Sequence, residues 1–339
     1  MPATIKLDAT QSADVEKAAS LLLAGHLVAV PTETVYGLAA DASNEQAVRK
    51  VFEAKQRPVG HPLIVHVASS DRIRLWVDHL PETAMQLIKA FWPGPLTLLL
   101  PKKSGVSDFI TGGNPGVAVR MPAHPATLAT MEKLGRDLVA PSANPYGRIS
   151  PTTAEHVLAG LSGKIEAVLD GGDCSVGIES TIVDLTGDTP VIARPGQIAK
   201  SDIEACLGIT LAPGKGASQA VPGSVKRHYQ PVTPTVGVAN DRFARLLPEV
   251  TPSGEKIGVI WWQSPPGERA SESIMLSADP NEYARMLYTA MHSMDEANVD
   301  RIVIELPPRE NQWLAIHDRL GRACTEQFGY AGTPWHAGQ

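Results

Sequence analysis

The chain has 339 residues, 43% of them apolar, and 30 Lys and Arg against 36 Asp and Glu give a formal charge of −6. That length suits two domains with real cores and excludes a disordered chain, while the acidic balance excludes a surface built throughout to grip nucleic acid, leaving any RNA contact local or weak. Three scattered cysteines, Cys174, Cys206 and Cys324, form no C-x-x-C pair, which excludes a disulfide framework and a cysteine-built zinc site and suits a reducing cytosol.

The predicted elements alternate between short apolar strands and amphipathic helices over the first 207 residues. Ala13–Ala24 reads as a helix stopped by Gly25. Leu27–Val30 is a strand ending at Pro31, and Asn44 caps a helix running to about Lys55. The strand Leu63–Val67 and the helix Pro81–Trp92 follow. Further strands are Leu96–Leu100, Val117–Arg120, Leu138–Ala140, Ala167–Leu169, Thr181–Leu185 and Val191–Ala193, with helices near 125–135, 152–160 and 201–207. Close strand pairs late in the segment predict a mixed sheet rather than a purely parallel one.

Residues 208–234 break the pattern with clustered Pro and Gly and read as a linker or functional lid. Beyond them, strands Thr235–Ala239, Lys256–Trp262 and Arg301–Glu305 alternate with helices near 241–247, 280–296 and 311–326. The predicted layout is thus an α/β domain over 1–207, a linker over 208–234 and a smaller α/β domain over 235–339. No stretch of 18 uncharged apolar residues exists, and the N-terminus lacks the basic start and apolar run of a secretory signal, so a cytoplasmic protein is expected.

The common nucleotide and hydrolase signatures are missing. Neither Gly163-Lys164 nor Gly214-Lys215 is followed by Ser or Thr, and no G-x-G-x-x-G, H-E-x-x-H or G-x-S-x-G is present. Instead, six polar fragments come in order, each read as sitting at the end of an apolar strand. They are Pro31-Thr32-Glu33-Thr34, Lys55-Gln56-Arg57-Pro58 with His61 and His66, Val117 to Arg120, Ala140-Pro141-Ser142-Ala143-Asn144 with Arg148 and Ser150, Glu179-Ser180-Thr181, and Arg194-Pro195-Gly196. Open α/β sheets bind ligands at strand carboxyl ends. Each fragment also has a structural reading: a turn, a cation at a helix end, a core histidine, an ion-paired arginine or a helix cap. Together they point to one pocket for an anionic ligand.

The motifs P-T-E-T-V-Y-G-L, K-x-R-P with P-L-I-V-H, W-P-G-P-L-T, V-A-V-R-M-P, A-P-S-A-N, S-P-T, E-S-T-I-V-D and R-P-G closely resemble the YrdC-like family of threonylcarbamoyl-adenylate synthases, over residues 12–207. Lys226 to Pro231 resembles the H-Y-x-P element of its longer, two-domain branch. The resemblance implies an N-terminal YrdC-like catalytic domain over 1–207, a twisted mixed sheet with flanking helices, plus a smaller C-terminal Rossmann-like α/β domain over 235–339. It also implies a reaction of ATP, L-threonine and bicarbonate or CO2 to threonylcarbamoyl-AMP and pyrophosphate, with Mg2+ arriving on ATP and held by no protein-built cage. The product would pass to the tRNA threonylcarbamoyl-transferase machinery. By the same resemblance Thr34, His66, Arg120, Ala140 (through its backbone) and Ser180 would hold L-threonine. Lys55, Arg57, His61, Gly116, Ser142, Asn144, Ser150, Arg194 and Tyr229 would contact ATP, with Tyr229 reaching in from the linker. His61 stands where relatives often carry Asn, and Gly116, where some have Thr, offers only its backbone. No dedicated nucleophile is implied. The competing readings are a carbamoyltransferase-type YrdC-like enzyme, which needs a Cys-rich zinc segment this chain lacks, and an RNA-binding module using Arg49, Lys50, Lys55, Arg57 and His61.

Overall fold

The computed structural model describes residues 3–211, 221–223 and 227–329, so parts of the linker, including Lys226, lie outside the described residues. The described residues divide into two compact units with a boundary near residue 224, and the short segment Gly147–Ile149 groups with the second.

The first unit is built on ten strands: β1 (Ile5–Asp8), β2 (Val28–Val30), β3 (Gly37–Asp41), β4 (Ile64–His66), β5 (Leu96–Pro101), β6 (Gly116–Arg120), β7 (Leu138–Val139), β8 (Ala167–Asp170), β9 (Thr181–Asp184) and β10 (Val191–Arg194). Their order is β1-β8-β2-β3-β7-β4-β6-β5-β9-β10. The β4–β6 and β5–β9 pairs are parallel, whereas β5–β6 and β9–β10 are antiparallel, which makes the sheet mixed, as the sequence predicts.

Alternation along the strands feeds two cores, one on each face. Leu27, Ala29, Leu38, Leu98 and Leu100 pack with Val51 and Phe52 of the helix Glu45–Lys55 and Leu87 of the helix Glu82–Phe91. Val28, Val30 and Ala39 point the other way, onto Val15 and Leu22 of the helix Ser12–Leu23 and Met131 of the helix Pro125–Leu134. The helix after β3 starts as predicted, with the Asn44 side chain accepting the Ala47 N–H at 3.2 Å. The helix over Ala154–Leu161 is capped by Thr153 rather than Ser150.

Several elements are absent from the sequence reading. β1 is only four residues long, and of its two alternating apolar residues, Ile5 and Leu7, only Leu7 is buried. β3 is Gly-Leu-Ala-Ala-Asp, small residues of low strand propensity behind a polar loop. The short helix Asp108–Thr111 also went unread.

The second unit holds β11 (Thr235–Ala239), β12 (Ile257–Trp261), β13 (Glu272–Met275), β14 (Arg301–Leu306) and β15 (Glu326–Phe328), in the order β13-β12-β14-β11-β15, all paired parallel. The helix expected near 311–326 stops at Ala323, and its final residues turn into the edge strand β15. Buried Glu305 holds the loop after β12 by accepting the N–H groups of Trp262, Gln263 and Ser264 at 2.9, 2.9 and 3.1 Å. Among the described residues no helix is long and apolar enough to cross a membrane.

Leu98 has no exposed surface and sits on β5, which is paired on both sides by β6 and β9. Leu98→Ala leaves a cavity there and is expected to cost about 2–5 kcal/mol of first-unit stability in urea unfolding, with little change in the denaturant slope.

Candidate active site

Strand register assembles the core of the site. His66 pairs with Arg120 across β4 and β6, and Thr97 pairs with Arg120 across β5 and β6. Residues in register on neighbouring strands point to the same face. His66, Arg120 and Thr97 therefore form one row at the carboxyl ends of β4 and β6.

Arg120 is 4% exposed and cannot stand there unpaired. Its Nη2 donates to Glu33 Oε1 at 2.6 Å, its Nη1 to Thr34 Oγ1 at 2.9 Å and its Nε to the Gly94 carbonyl at 3.3 Å. The other Glu33 oxygen accepts the Ala123 N–H at 3.0 Å. Burial pushes the Glu33 carboxyl up, but the Arg120 charge and the Ala123 N–H more than offset it and hold the group below the usual carboxylate range. One hydrogen on each of Nη1 and Nη2 is left for a ligand. That paired edge suits a carboxylate.

The opposite wall comes from the turn before β9. Ser180 Oγ lies 2.8 Å from Thr97 Oγ1 and accepts from Arg194 Nη2 at 3.0 Å. Arg194 also donates to the Ser180 carbonyl through Nε at 3.1 Å and Nη2 at 2.9 Å, and to the Pro222 carbonyl through Nη1 at 2.9 Å. This clamp explains the glycine of R-P-G: a Cβ on Gly196 would lie 2.3 Å from Thr181 N and 2.6 Å from the Ser180 carbonyl carbon. Ser150 donates to Glu179 Oε1 at 2.6 Å, both buried.

Lys55 is 2% exposed, and its ammonium donates to the carbonyls of Ser142 and Asn144. Burial first, then the Arg57 charge, pushes it well below the ordinary lysine range. Lys55 thus shapes the A-P-S-A-N loop from beneath. Gly37 bridges Ser142, and a Cβ on Gly37 would come within 3.0 Å of Ala140 Cβ, so this loop is seated tightly on β3. The Ala140 N–H donates to the Ile64 carbonyl at 3.3 Å.

The remaining predicted residues are spread more widely. Arg57 donates to the Pro62 carbonyl at 3.0 Å, and His61 lies against Tyr146 with ring centroids 5.5 Å apart. Gly116 begins β6, about 13 Å along that strand from Arg120. Tyr229 belongs to the second unit. There it is fully buried, stacks on Tyr288 at 5.6 Å, lies under the Arg319 guanidinium at 5.5 Å and has φ of +61°. A tyrosine in the left-handed region is uncommon, and those ring contacts hold it there.

Three residues that touch the predicted set carry no assignment in the sequence reading: Glu33, Thr97 and Glu179. Each lies inside a motif that was read, P-T-E-T, W-P-G-P-L-T and E-S-T. For Glu33 the available signal was the need of buried Arg120 for a carboxylate; Thr97 and Glu179 bond Ser180 and Ser150, pairings that depend on the fold.

His66 is buried, and burial followed by the Arg120 charge lowers its pKa to about 3. It is neutral at pH 7, with Nδ1–H donating to the Ile64 carbonyl at 3.2 Å and the Nε2 lone pair left as an acceptor. Because the unfolded chain binds this proton near pH 6.5 and the folded chain does not, stability falls as pH drops from 7 toward 3. His66 alone removes about 2 kcal/mol between pH 7 and pH 5. His66→Asn is expected to flatten the stability–pH curve by that amount relative to the parent, measured by urea unfolding at the two pH values.

Comparison with known proteins places this geometry. Residues 20–196 match the family model described as telomere recombination, of Sua5, YciO and YrdC, and residues 198–325 match the threonylcarbamoyl-AMP synthase C-terminal domain. A Pyrococcus abyssi protein named threonylcarbamoyl-AMP synthase is 43% identical over 90% of this chain and 92% of its own. One of the same name from Bacillus subtilis is 40% identical over 93% of this chain and 94% of its own. The crystal structure of P. abyssi Sua5 complexed with L-threonine matches with a TM-score of 0.86 and 39% identity, covering 95% of this chain and 99% of that one. The chain belongs to the YrdC-like threonylcarbamoyl-AMP synthase family, in its two-domain branch.

Proposed function

We propose that this chain is an L-threonylcarbamoyladenylate synthase, a nucleotidyltransferase that converts ATP, L-threonine and bicarbonate to threonylcarbamoyl-AMP and pyrophosphate. The product serves threonylcarbamoyl-adenosine modification of tRNA. The observation that carries the reading is the row of His66, Arg120 and Thr97 facing Ser180, within a fold shared with a relative crystallised with L-threonine.

The residue types suit the steps. The threonine amine takes up bicarbonate or CO2 to give a carbamate, whose oxygen attacks the α-phosphate of ATP as pyrophosphate leaves. Such transfer depends on positioning and charge neutralisation more than on a side-chain nucleophile. Arg120 offers its remaining pair of hydrogens to the threonine carboxylate, with Thr34 fixing one arm of the fork. Neutral His66 offers an Nε2 acceptor to a hydroxyl or amine hydrogen. Ala140 contributes its backbone and Ser180 its hydroxyl.

On the nucleotide side, Arg57, Arg194, Ser142 and Ser150 contact ATP, with His61, Asn144 and the Gly116 backbone nearby. Lys55 acts through the loop it holds. Mg2+ would enter with ATP, held mostly by phosphate and water oxygens. The linker reading gives Tyr229 a place at the nucleotide. The protein works in the cytoplasm and hands its adenylate to the transferase that modifies tRNA, with little direct tRNA contact at a charge of −6.

Pyrophosphate release is expected to require both L-threonine and bicarbonate, followed by coupled phosphate detection and chromatography of the adenylate. Equal release without threonine would sink the reaction. Arg57→Ala is expected to weaken ATP binding with threonine binding intact. Arg194→Ala weakens both, by about tenfold or more each, because the same guanidinium holds Ser180. Calorimetric titration of each substrate separates the two patterns.

A further inference from the structure

The hydrogen bonds around Ser180 fix which way its hydroxyl points. A hydroxyl has one hydrogen and two acceptor lone pairs. Arg194 Nη2 lies 3.0 Å from Ser180 Oγ, and a guanidinium only donates, so one lone pair is filled. Thr97 Oγ1 lies 2.8 Å away on the other side. Thr97 has no exposed surface, and Ser180 Oγ is the one hydrogen-bonding group its hydroxyl meets among the described residues. A buried hydroxyl hydrogen needs an acceptor. Ser180 has no exposed surface either, so one of the two hydroxyl hydrogens finds no protein acceptor among the described residues. On the reading that Ser180 holds the amino acid, the substrate supplies an acceptor to Ser180, whereas Thr97 has only Ser180 to donate to. Thr97 therefore donates, and the second lone pair of Ser180 is filled as well.

With both lone pairs occupied, Ser180 can only donate, and its hydrogen has no acceptor among the described residues. A group that can only donate complements an anionic oxygen and repels a ligand ammonium. We infer that Thr97, through its hydrogen bond to Ser180, is a positioning residue that commits Ser180 to donate to an anionic oxygen of the amino-acid substrate. That oxygen belongs either to the threonine carboxylate or to the carbamate formed from it. The inference rests on the reading above that Ser180 holds the amino acid.

The test is a double-mutant cycle in the full chain, with L-threonine affinity read by calorimetry and threonine KM read with ATP and bicarbonate present. Thr97→Val keeps the shape and removes the hydroxyl. It is expected to weaken threonine by about three- to tenfold with nucleotide affinity unchanged, and Thr97→Ser restores it. Thr97→Ala reports the same loss should the valine not pack. A loss already present with threonine alone identifies the carboxylate, and a loss seen only in KM with bicarbonate identifies the carbamate. In a Ser180→Ala background Thr97→Val should cost nothing more, because its effect runs through the missing hydroxyl. Additive losses, or parental threonine affinity and KM in a folded Thr97→Val protein, would overturn the inference. Parental affinity and KM in Ser180→Ala would instead overturn the assignment of Ser180 to the amino acid.

Discussion

A guanidinium buried at the edge of an apolar sheet must be neutralised and hydrogen-bonded, and the first unit is arranged around meeting that demand for Arg120. Glu33 comes from the loop between β2 and β3, Thr34 from the same loop, Gly94 from the turn before β5, and Ala123 from the start of the next helix. Three separate loops are thereby tied to one strand end. The Arg120–Glu33 pair lies within the buried frame of the first unit, so its desolvation cost is part of the folding balance.

The second constraint is the hold of Arg194 on the Ser180 turn, which leaves no room for a side chain on Gly196. Through Ser180 and Thr97 it connects the predicted nucleotide residues to the row that contains Arg120. The two halves of the site share side chains, so a change to one is felt in the other. Lys55 shows the same economy, since its ammonium holds a loop bearing residues of both predicted groups.

Much of this was legible in the sequence. The apolar runs over 96–100, 117–120 and 181–185 are long enough to read as strands, and the polar fragments beside them mark the site because open α/β sheets bind ligands at strand ends. The mixed sheet followed from the spacing of strands too close to allow crossover helices. β3 was not legible because its small residues give no apolar period, β1 because its alternation spans only Ile5 and Leu7, and β15 was hidden behind the end of a helix. Glu33, Thr97 and Glu179 were visible as letters but not as partners. Their roles depend on which strands lie side by side, and Thr97 on β5 bonds Ser180, 83 positions further along the chain and just before β9. The packing of Tyr229 against Tyr288 and Arg319 likewise depends on the fold of the second unit.

The central claim is that the edge of Arg120 left open by Glu33 and Thr34 reads the carboxylate of the amino acid. Calorimetric binding of L-threonine against L-threoninamide tests it most directly, since the two differ only at that group. The account predicts that the amide binds about ten- to a hundredfold more weakly, the loss of a charge-assisted hydrogen-bonded pair. Equal affinity for the two would contradict it.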